Sequence, residues 1–77
     1  MAKTRSRVTN TLRARRFAHG EITQAELARQ IGVTRQTIIA IEQGKFSPTL
    51  ESALRLERVF GVPVSEIFKL LEDLEEE

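Results

Sequence analysis

The chain has 77 residues, of which 40% are hydrophobic and 30% are charged, and it carries a net charge of +1. This length is enough for one domain at most, and the hydrophobic fraction is typical of a globular protein rather than a disordered one. The absence of cysteine excludes a disulfide framework and a thiolate metal site, and no apolar run approaches the roughly 18 residues that a membrane span requires.

The first eight residues are predicted to form a basic flexible arm. Lys3, Arg5 and Arg7 lie there, and six bases with no acid precede His19. Bases gathered at one end of a balanced chain favour a polyanionic partner, although they would also serve solubility alone. The arm would either stay disordered, or follow the backbone of DNA or enter its minor groove. No apolar core follows these bases, so the segment does not resemble a signal peptide and we expect a cytoplasmic protein.

Turn signals divide the rest of the chain into five predicted helices, and no segment shows the alternating pattern of a strand. Each helix opens at a residue that suits a helix start, and glycines mark most of the helix ends. In the second helix, Thr23 and Glu26 are predicted to form a capping box, in which the hydroxyl and the carboxylate each satisfy a free amide. The predicted helices run from Thr9 or Asn10 to about Ala18, from Thr23 to Gly32, from Thr34 to Gln43, from Thr49 to Gly61, and from Val62 onward.

The last predicted helix carries an apolar stripe that repeats at helical spacing from Val64 to Leu74. The first half of this stripe should complete the core of the domain. Beyond the core, Leu70, Leu71 and Leu74 would bury against the same helix of a second subunit, and we predict a dimer interface there. From Val64 onward the chain has six acids and one base, so residues 70–77 are predicted to be an acidic helix end and tail.

The second and third predicted helices form a pair joined by a tight turn. Projected at about 100° per residue, the third helix buries Ile38 and Ile41 and turns its polar side outward. A unit of this kind places the start of its second helix in the major groove of DNA. The residues that lock the pair together are Leu27, Ala28, Ile31, Val33, Ile38 and Ile41.

The outward side of the third predicted helix is nearly uncharged, whereas an isolated surface helix would normally carry Lys and Glu there. Arginine pairs with both acceptors of guanine, glutamine pairs with the donor and acceptor of adenine, and alanine or isoleucine can touch a thymine methyl. Taken singly, Arg35 and Gln36 could be ordinary solvated residues at a helix start. Within the whole motif, however, base contacts are favoured. The predicted base-reading residues are Arg35, Gln36, Ile39 and Ala40.

The N-terminus of the second predicted helix is the expected phosphate site. Its free N–H groups and the positive end of its dipole attract anions, and Gln24 adds a side-chain donor. Lys45 lies just past the third helix, where the chain would leave the groove and meet the DNA backbone. Capping alone accounts for Thr23, so a phosphate contact would be an additional role. The predicted phosphate-contacting residues are Thr23, Gln24, Thr37, Gln43 and Lys45.

Several segments in a fixed order between Asn10 and Phe68 match a known pattern. They are Thr23–Ala28, Gly32–Ile38, Ile41–Lys45, Ser47–Leu50, and Val59–Pro63 followed by Glu66–Phe68. In these segments the chain resembles the phage-repressor type of helix-turn-helix protein, the Cro/cI or XRE family. The resemblance implies a compact five-helix domain that binds operator DNA, usually as a symmetric dimer. It also implies a partly buried salt bridge between Arg16 and Glu42, which would tie the first helix to the third.

The chain departs from the pattern of this family at three places. Arg15 stands where leucine is common, and the turn between the first two helices is one residue longer than in many relatives. Ile39 and Ala40 are more apolar than the Ser and Lys often found there, which would weaken phosphate attraction and shift base reading toward thymine methyls, or let this face meet a protein. The resemblance implies base contacts at Arg35, Gln36 and Ala40, and a phosphate contact at Gln24.

We predict an all-α, compact five-helix domain over residues 9–69, with a central helix-turn-helix, between the arm (1–8) and the tail (70–77). It would regulate transcription as a homodimeric repressor that binds a roughly palindromic operator in double-stranded DNA through the major groove. The alternative is a protein-interaction module on the same fold, an antitoxin or a transcription bridging factor, which the apolar Ile39 and Ala40 favour. The sequence holds no nucleophile–base pair, carboxylate dyad or metal-ligand set, so we expect no enzymatic activity, metal, cofactor or small-molecule ligand. So little chain follows the domain that we expect no separate effector-binding domain.

Overall fold

Five helices and one two-stranded antiparallel sheet make up the computed structural model, which describes residues 7–72. Lys3, Arg5, Leu74 and the acidic end of the chain lie outside the described residues. The longest of these helices has 11 residues, and none of residues 7–72 belongs to a helix long and apolar enough to cross a membrane. The elements, in chain order, are β1 Val8–Asn10, α1 Leu12–Ala18, α2 Gln24–Ile31, α3 Arg35–Glu42, α4 Leu50–Phe60, α5 Val64–Ile67 and β2 Phe68–Leu70.

The starts and ends of α2, α3 and α4 confirm most of the predicted helix boundaries. The hydroxyls of Thr23, Thr34 and Thr49 each accept a hydrogen bond from the backbone N–H three residues later, at 3.0, 3.2 and 3.1 Å. Gly32 and Gly61 end α2 and α4 in the left-handed conformation, with φ of 77° and 69°, which favours glycine because it has no Cβ. These caps are local in the chain, so the sequence alone reveals them.

The carboxylate of Glu26 is used differently from the capping-box prediction. It accepts hydrogen bonds from Nε of Arg29 at 3.1 Å and from Nε2 of Gln30 at 2.8 Å. Both partners lie one turn further along the same helix, where side chains three and four residues apart are neighbours. The Thr23 hydroxyl therefore caps α2, while Glu26 stabilises the exposed side of that helix.

The sheet corrects the prediction of an all-α fold and of a long last helix. α5 ends after four residues, because Phe68 takes an extended conformation with φ of −125° and ψ of 144° and begins β2. The apolar residues near the end of the chain do fit helical spacing, but they find a partner strand far earlier in the chain, which no local pattern reveals. Just beyond the strands, the N–H of Leu71 donates to the carbonyl oxygen of Arg7 at 2.9 Å. The antiparallel partners are Val8 and Leu70, Thr9 and Lys69, and Asn10 and Phe68.

The first helix begins later than predicted, because the residues proposed as its caps belong to β1, as does Val8. α1 starts at Leu12, with Thr11 in the N-cap position. Asn10 still supplies a capping bond from the strand, since its Oδ1 accepts from the N–H of Leu12 at 3.0 Å. Its Nδ2 donates to the carbonyl oxygen of Ile41 at 2.9 Å. Asn10 therefore joins the start of α1 to the last turn of α3.

The core forms where α2 and α3 pack against α1, α4 and α5. The residues predicted to lock α2 and α3 together are buried, apart from Val33, which is partly buried against the cluster. Because the apolar side of α3 is fixed in this core, the helix turns its other side outward. The buried cluster consists of Leu12, Leu27, Ala28, Ile31, Ile38, Ile41, Leu56 and Ile67.

Arg15, which stands where the resemblance implies leucine, holds α1 to α5 through polar contacts. Its Nη2 lies 3.5 Å from Oε1 of Glu66 and donates to the carbonyl oxygen of the same residue at 3.2 Å. Nearby, the N–H of Thr11 donates to the carbonyl oxygen of Ile67 at 2.8 Å. The start of α1 is therefore fixed against the end of α5, next to the sheet.

Candidate nucleic-acid interface

α3 has one buried side and one exposed side. Its two core isoleucines are 0% and 1% exposed. Arg35 and Gln36, the first two residues after the Thr34 cap, are exposed, whereas Ile39 and Ala40 in the next turn are half-buried. All four predicted base-reading residues therefore reach the surface of the molecule, and the two polar ones are the most open to a partner.

The predicted phosphate residues at the start of α2 are partly occupied by contacts within the protein. The hydroxyl of Thr23 accepts the N–H of Glu26, and Nε2 of Gln24 donates to Oε1 of Glu42 at 3.1 Å. An amide nitrogen carries two N–H groups, so Gln24 keeps one for an external acceptor. The contact with Glu42 also orients the Gln24 side chain toward the end of α3.

Arg16 and Glu42 form the salt bridge that the resemblance implies. Nε of Arg16 lies 2.6 Å from Oε2 of Glu42, and Nη2 lies 3.2 Å from Oε1, which is the bidentate geometry that favours arginine. The third nitrogen, Nη1, donates to the carbonyl oxygen of Ile22 at 3.0 Å. The two side chains are only 8% and 9% exposed. The pair thus connects α1, the turn before α2 and the last residue of α3.

The other predicted phosphate residues lie along and just after α3. Thr37 is half-buried, and its hydroxyl is 3.1 Å from that of Thr34. Gln43 is exposed directly after α3. Lys45 is exposed as well, and its backbone N–H donates to the carbonyl oxygen of Ala40 at 3.0 Å, which fixes the loop against the helix.

An open groove of about 650 Å³ separates α1 from the start of α2 and the outward side of α3. It brings together five of the predicted contact residues, while Gln36, Ala40, Thr37 and Lys45 lie outside its lining. Two acids, Glu21 and Glu42, also line it. The predicted contact residues in the groove are Thr23, Gln24, Arg35, Ile39 and Gln43.

Two of the groove residues that were not among the predicted contacts lie against each other. Arg13 and Phe17 lie on α1, with the guanidinium carbon 5.3 Å from the centre of the ring. Their spacing of four residues within a predicted helix was the available signal, because such residues are neighbours on a helix surface. Asn10 was missed as a support of α3 for a different reason, since its partner Ile41 is 31 residues away.

Some of the cations near the groove form ion pairs within the described residues, and others do not. Four ion pairs form within residues 7–72, and they use Arg15, Arg16 and two arginines of α2 and α4. Arg13, Arg35 and Lys45 take part in none of these four. Their charge is therefore available to a polyanion.

Comparisons with known proteins point to one family. The helix-turn-helix family model matches residues 12–67. The chain is 48% identical over 59 residues to an uncharacterized HTH-type transcriptional regulator of Methanocaldococcus jannaschii, covering 77% of this chain and 88% of the relative. It is 53% identical over 53 residues to another from Methanothermobacter thermautotrophicus, covering 68% and 77%. It is 40% identical over 47 residues to the cryptic phage CTXphi transcriptional repressor RstR of Vibrio cholerae, covering 61% of this chain and 42% of that protein.

Proposed function

The chain belongs to the helix-turn-helix family, and from this membership we propose that it represses transcription by binding an operator as a dimer. The family makes it a DNA-binding transcriptional regulator rather than an enzyme. In the proposal the operator is roughly palindromic, because a two-fold dimer presents the same surface to two half-sites. Repression is proposed from the similarity to RstR, which is named a transcriptional repressor.

The observation that carries the proposal is the exposed start of α3, mounted on a buried apolar side. Arg35 and Gln36 are exposed there, and one can donate to guanine while the other pairs with adenine. Ile39 and Ala40 follow in the next turn and would meet thymine methyl groups. Each good bidentate pair would discriminate between bases by roughly 1–3 kcal/mol. α3 therefore reads the sequence in the major groove.

The phosphate contacts flank this helix. Thr23 and Gln24 hold one phosphate at the start of α2, and Thr37, Gln43 and Lys45 hold the backbone along and beyond α3. Such contacts set the register of the protein on the duplex and make binding weaken with salt, but they carry no sequence information directly. The basic arm at the start of the chain adds to the same electrostatic attraction.

The dimer forms through the segment that includes Leu70, Leu71 and Leu74. Leu70 lies in β2 with 46% of its surface exposed, Leu71 is half-buried, and Leu74 is outside the described residues. Leu70 therefore meets its partner from a strand and not from the side of a long helix. In this proposal the DNA-binding domain covers residues 9–69 together with Val8 and Leu70, which pair in the sheet, and the rest of the arm and the tail flank it.

Selection of bound duplexes from a random pool tests the proposal. A repressor of this kind should enrich one half-site in inverted repeat, spaced by about one turn of DNA, and lose affinity steeply as salt rises. A protein-interaction module on the same fold would enrich no sequence and show no such salt dependence. That second outcome would overturn the proposal.

Two substitutions separate the proposed base and phosphate contacts. We expect Gln36→Ala to relax base preference at one operator position with little change in the salt slope. We expect Lys45→Ala to weaken binding to all DNA sequences about equally and to flatten the slope of log affinity against log salt by about one unit. Affinities for the operator and for random duplex at several salt concentrations provide the measurement. Identical behaviour of the two variants would show that this division of roles is wrong.

A further inference from the structure

Phe17 is an aromatic residue whose exposure the core does not explain. The residue is 52% exposed at the edge of the groove, whereas the buried cluster of the domain contains no residue of its size. Two guanidinium groups lie over it, that of Arg13 at 5.3 Å from the ring centre and that of Arg16 at 5.5 Å. An exposed ring in contact with cations orients those cations by the attraction of its π face.

The two arginines over this ring are bound very differently. Arg16 donates to Glu42 and to the carbonyl oxygen of Ile22, so each of its three nitrogens is engaged within the protein. Arg13 is exposed and pairs with no carboxylate in the part of the chain that the structure describes. Contact with a ring leaves most of the five N–H donors of a guanidinium available. Arg13 is therefore a positioned cation with free donors.

The surroundings of Arg13 match an anion that comes with the DNA. The groove that Arg13 lines is also lined by Arg35 and Gln24, which the proposed function assigns to a base and to a phosphate. A duplex whose base edges meet Arg35 brings a stretch of its own backbone past the groove. Guanidinium groups bind phosphate oxygens with two parallel hydrogen bonds, so arginine suits this contact better than lysine.

We propose that Arg13, held against the ring of Phe17, binds a phosphate of the DNA backbone on the α1 side of the groove. This inference rests on the proposed function and adds a contact from a helix that had none assigned. Arg13 is the phosphate-binding residue, and Phe17 is a positioning residue that acts through it. Lys45, which is outside the groove lining, contacts the backbone elsewhere.

One acid opposes this contact. Glu21 lines the same groove, is exposed, and stands in the left-handed region with φ of 58°. The other acid of the groove, Glu42, is neutralised by Arg16. Glu21 therefore weakens the attraction of the groove for a phosphate, and removing its charge should strengthen DNA binding.

The test compares four variants of the full chain with the wild type: Arg13→Ala, Phe17→Leu, Glu21→Gln and Arg58→Ala. Arg58→Ala is the matched control, because Arg58 is an exposed arginine on α4 outside the groove lining. Affinities for a selected operator and for random duplex are measured at several salt concentrations. Circular dichroism melting of each variant verifies that it is folded under the conditions used.

Arg13→Ala should weaken binding to the operator and to random duplex by the same factor, on the order of tenfold at low salt. It should also lower the slope of log affinity against log salt by about one unit. Phe17→Leu should weaken both less and keep most of the slope, because the charge remains. Glu21→Gln should strengthen binding to both duplexes severalfold. Arg58→Ala should change the affinity for neither duplex. If Arg13→Ala and Arg58→Ala have equal slopes while the wild type binds normally, the role of Arg13 is overturned and the proposed function stands. A wild type that binds no duplex overturns both.

Discussion

Glu42 is the residue at which three helices of the domain meet. Its carboxylate accepts hydrogen bonds from Nε and Nη2 of Arg16 on α1 and from Nε2 of Gln24 on α2, while it is itself the last residue of α3. All three donors are arranged around one nearly buried charge. The position of α3 relative to the start of α2 therefore depends on this carboxylate.

Removing one partner of this buried pair should destabilise the fold strongly, whereas replacing both partners by apolar residues should destabilise it less. We expect Arg16→Ala or Glu42→Ala to lower the free energy of unfolding by about 3 kcal/mol or more, because each leaves a buried charge without its partner. The double variant Arg16→Met, Glu42→Leu should cost less than either single variant. Urea unfolding followed by circular dichroism measures all three. Additive losses in the double variant would contradict this account.

Glu26, on the exposed side of α2, makes a separate contribution to the stability of the fold, and this contribution depends on pH. The hydrogen bond from Arg29, assisted by that from Gln30, lowers the pKa of the Glu26 carboxyl from 4.5 to about 2. Because the folded pKa is depressed, the stabilisation is fully present above pH 4.5 and is lost as the pH falls through about 2. Glu26→Gln should therefore lower Tm slightly at neutral pH, and this Tm difference should shrink as the pH falls through about 2. A Tm difference that stays constant across this range would refute the assignment.

At the scale of the elements, α3 and α4 start in the same way but serve different purposes. Thr34 and Thr49 cap them with nearly equal geometry, at 3.2 and 3.1 Å from the N–H three residues later. Thr34→Ala and Thr49→Ala should each lower the free energy of unfolding by about 1 kcal/mol. Only Thr34→Ala should weaken operator binding as well, since α3 carries the proposed base contacts.

Chemical unfolding and operator titration of the two cap variants check this prediction together. The Thr49 variant serves as the control for a general loss of stability. If both variants lose DNA affinity to the same extent, the effect comes from stability and not from the start of α3.

The elements also show which parts of the fold a sequence reveals. α2, α3 and α4 could be predicted because a threonine cap, a short apolar repeat and mostly a glycine stop lie within a dozen residues of each other. The outward side of α3 followed from the same repeat. The strand at Phe68 could not be predicted, because its extended form depends on Asn10 and its neighbours at the other end of the domain. The Arg13–Phe17 contact was visible only as a spacing, since nothing local indicates that a groove lies beside it.

At the scale of the whole molecule, Leu70 is the exposed apolar residue that the proposed dimer would cover. Leu70→Asp should convert a dimer into a monomer and lower the affinity for a palindromic operator by about tenfold or more, because each half-site must then be bound separately. Leu50→Asp is the matched control, since Leu50 is even more exposed, at 75%, but lies on α4.

Sedimentation equilibrium of the wild type and both variants measures the association directly. A wild type that remains monomeric at high micromolar concentration would contradict the proposed dimer. Equal dissociation of the Leu50 and Leu70 variants would place the interface elsewhere on the surface.

The hydrogen bond between the N–H of Leu71 and the carbonyl oxygen of Arg7 brings the backbone of the domain back to where it started. Arg7 and Leu71, near the two ends of the described range, therefore meet at one corner of the domain. A short peptide bridge across that corner would close the backbone into a ring. The chain could then be reopened at the exposed turn around Gly20, giving a permuted protein with new termini between α1 and α2.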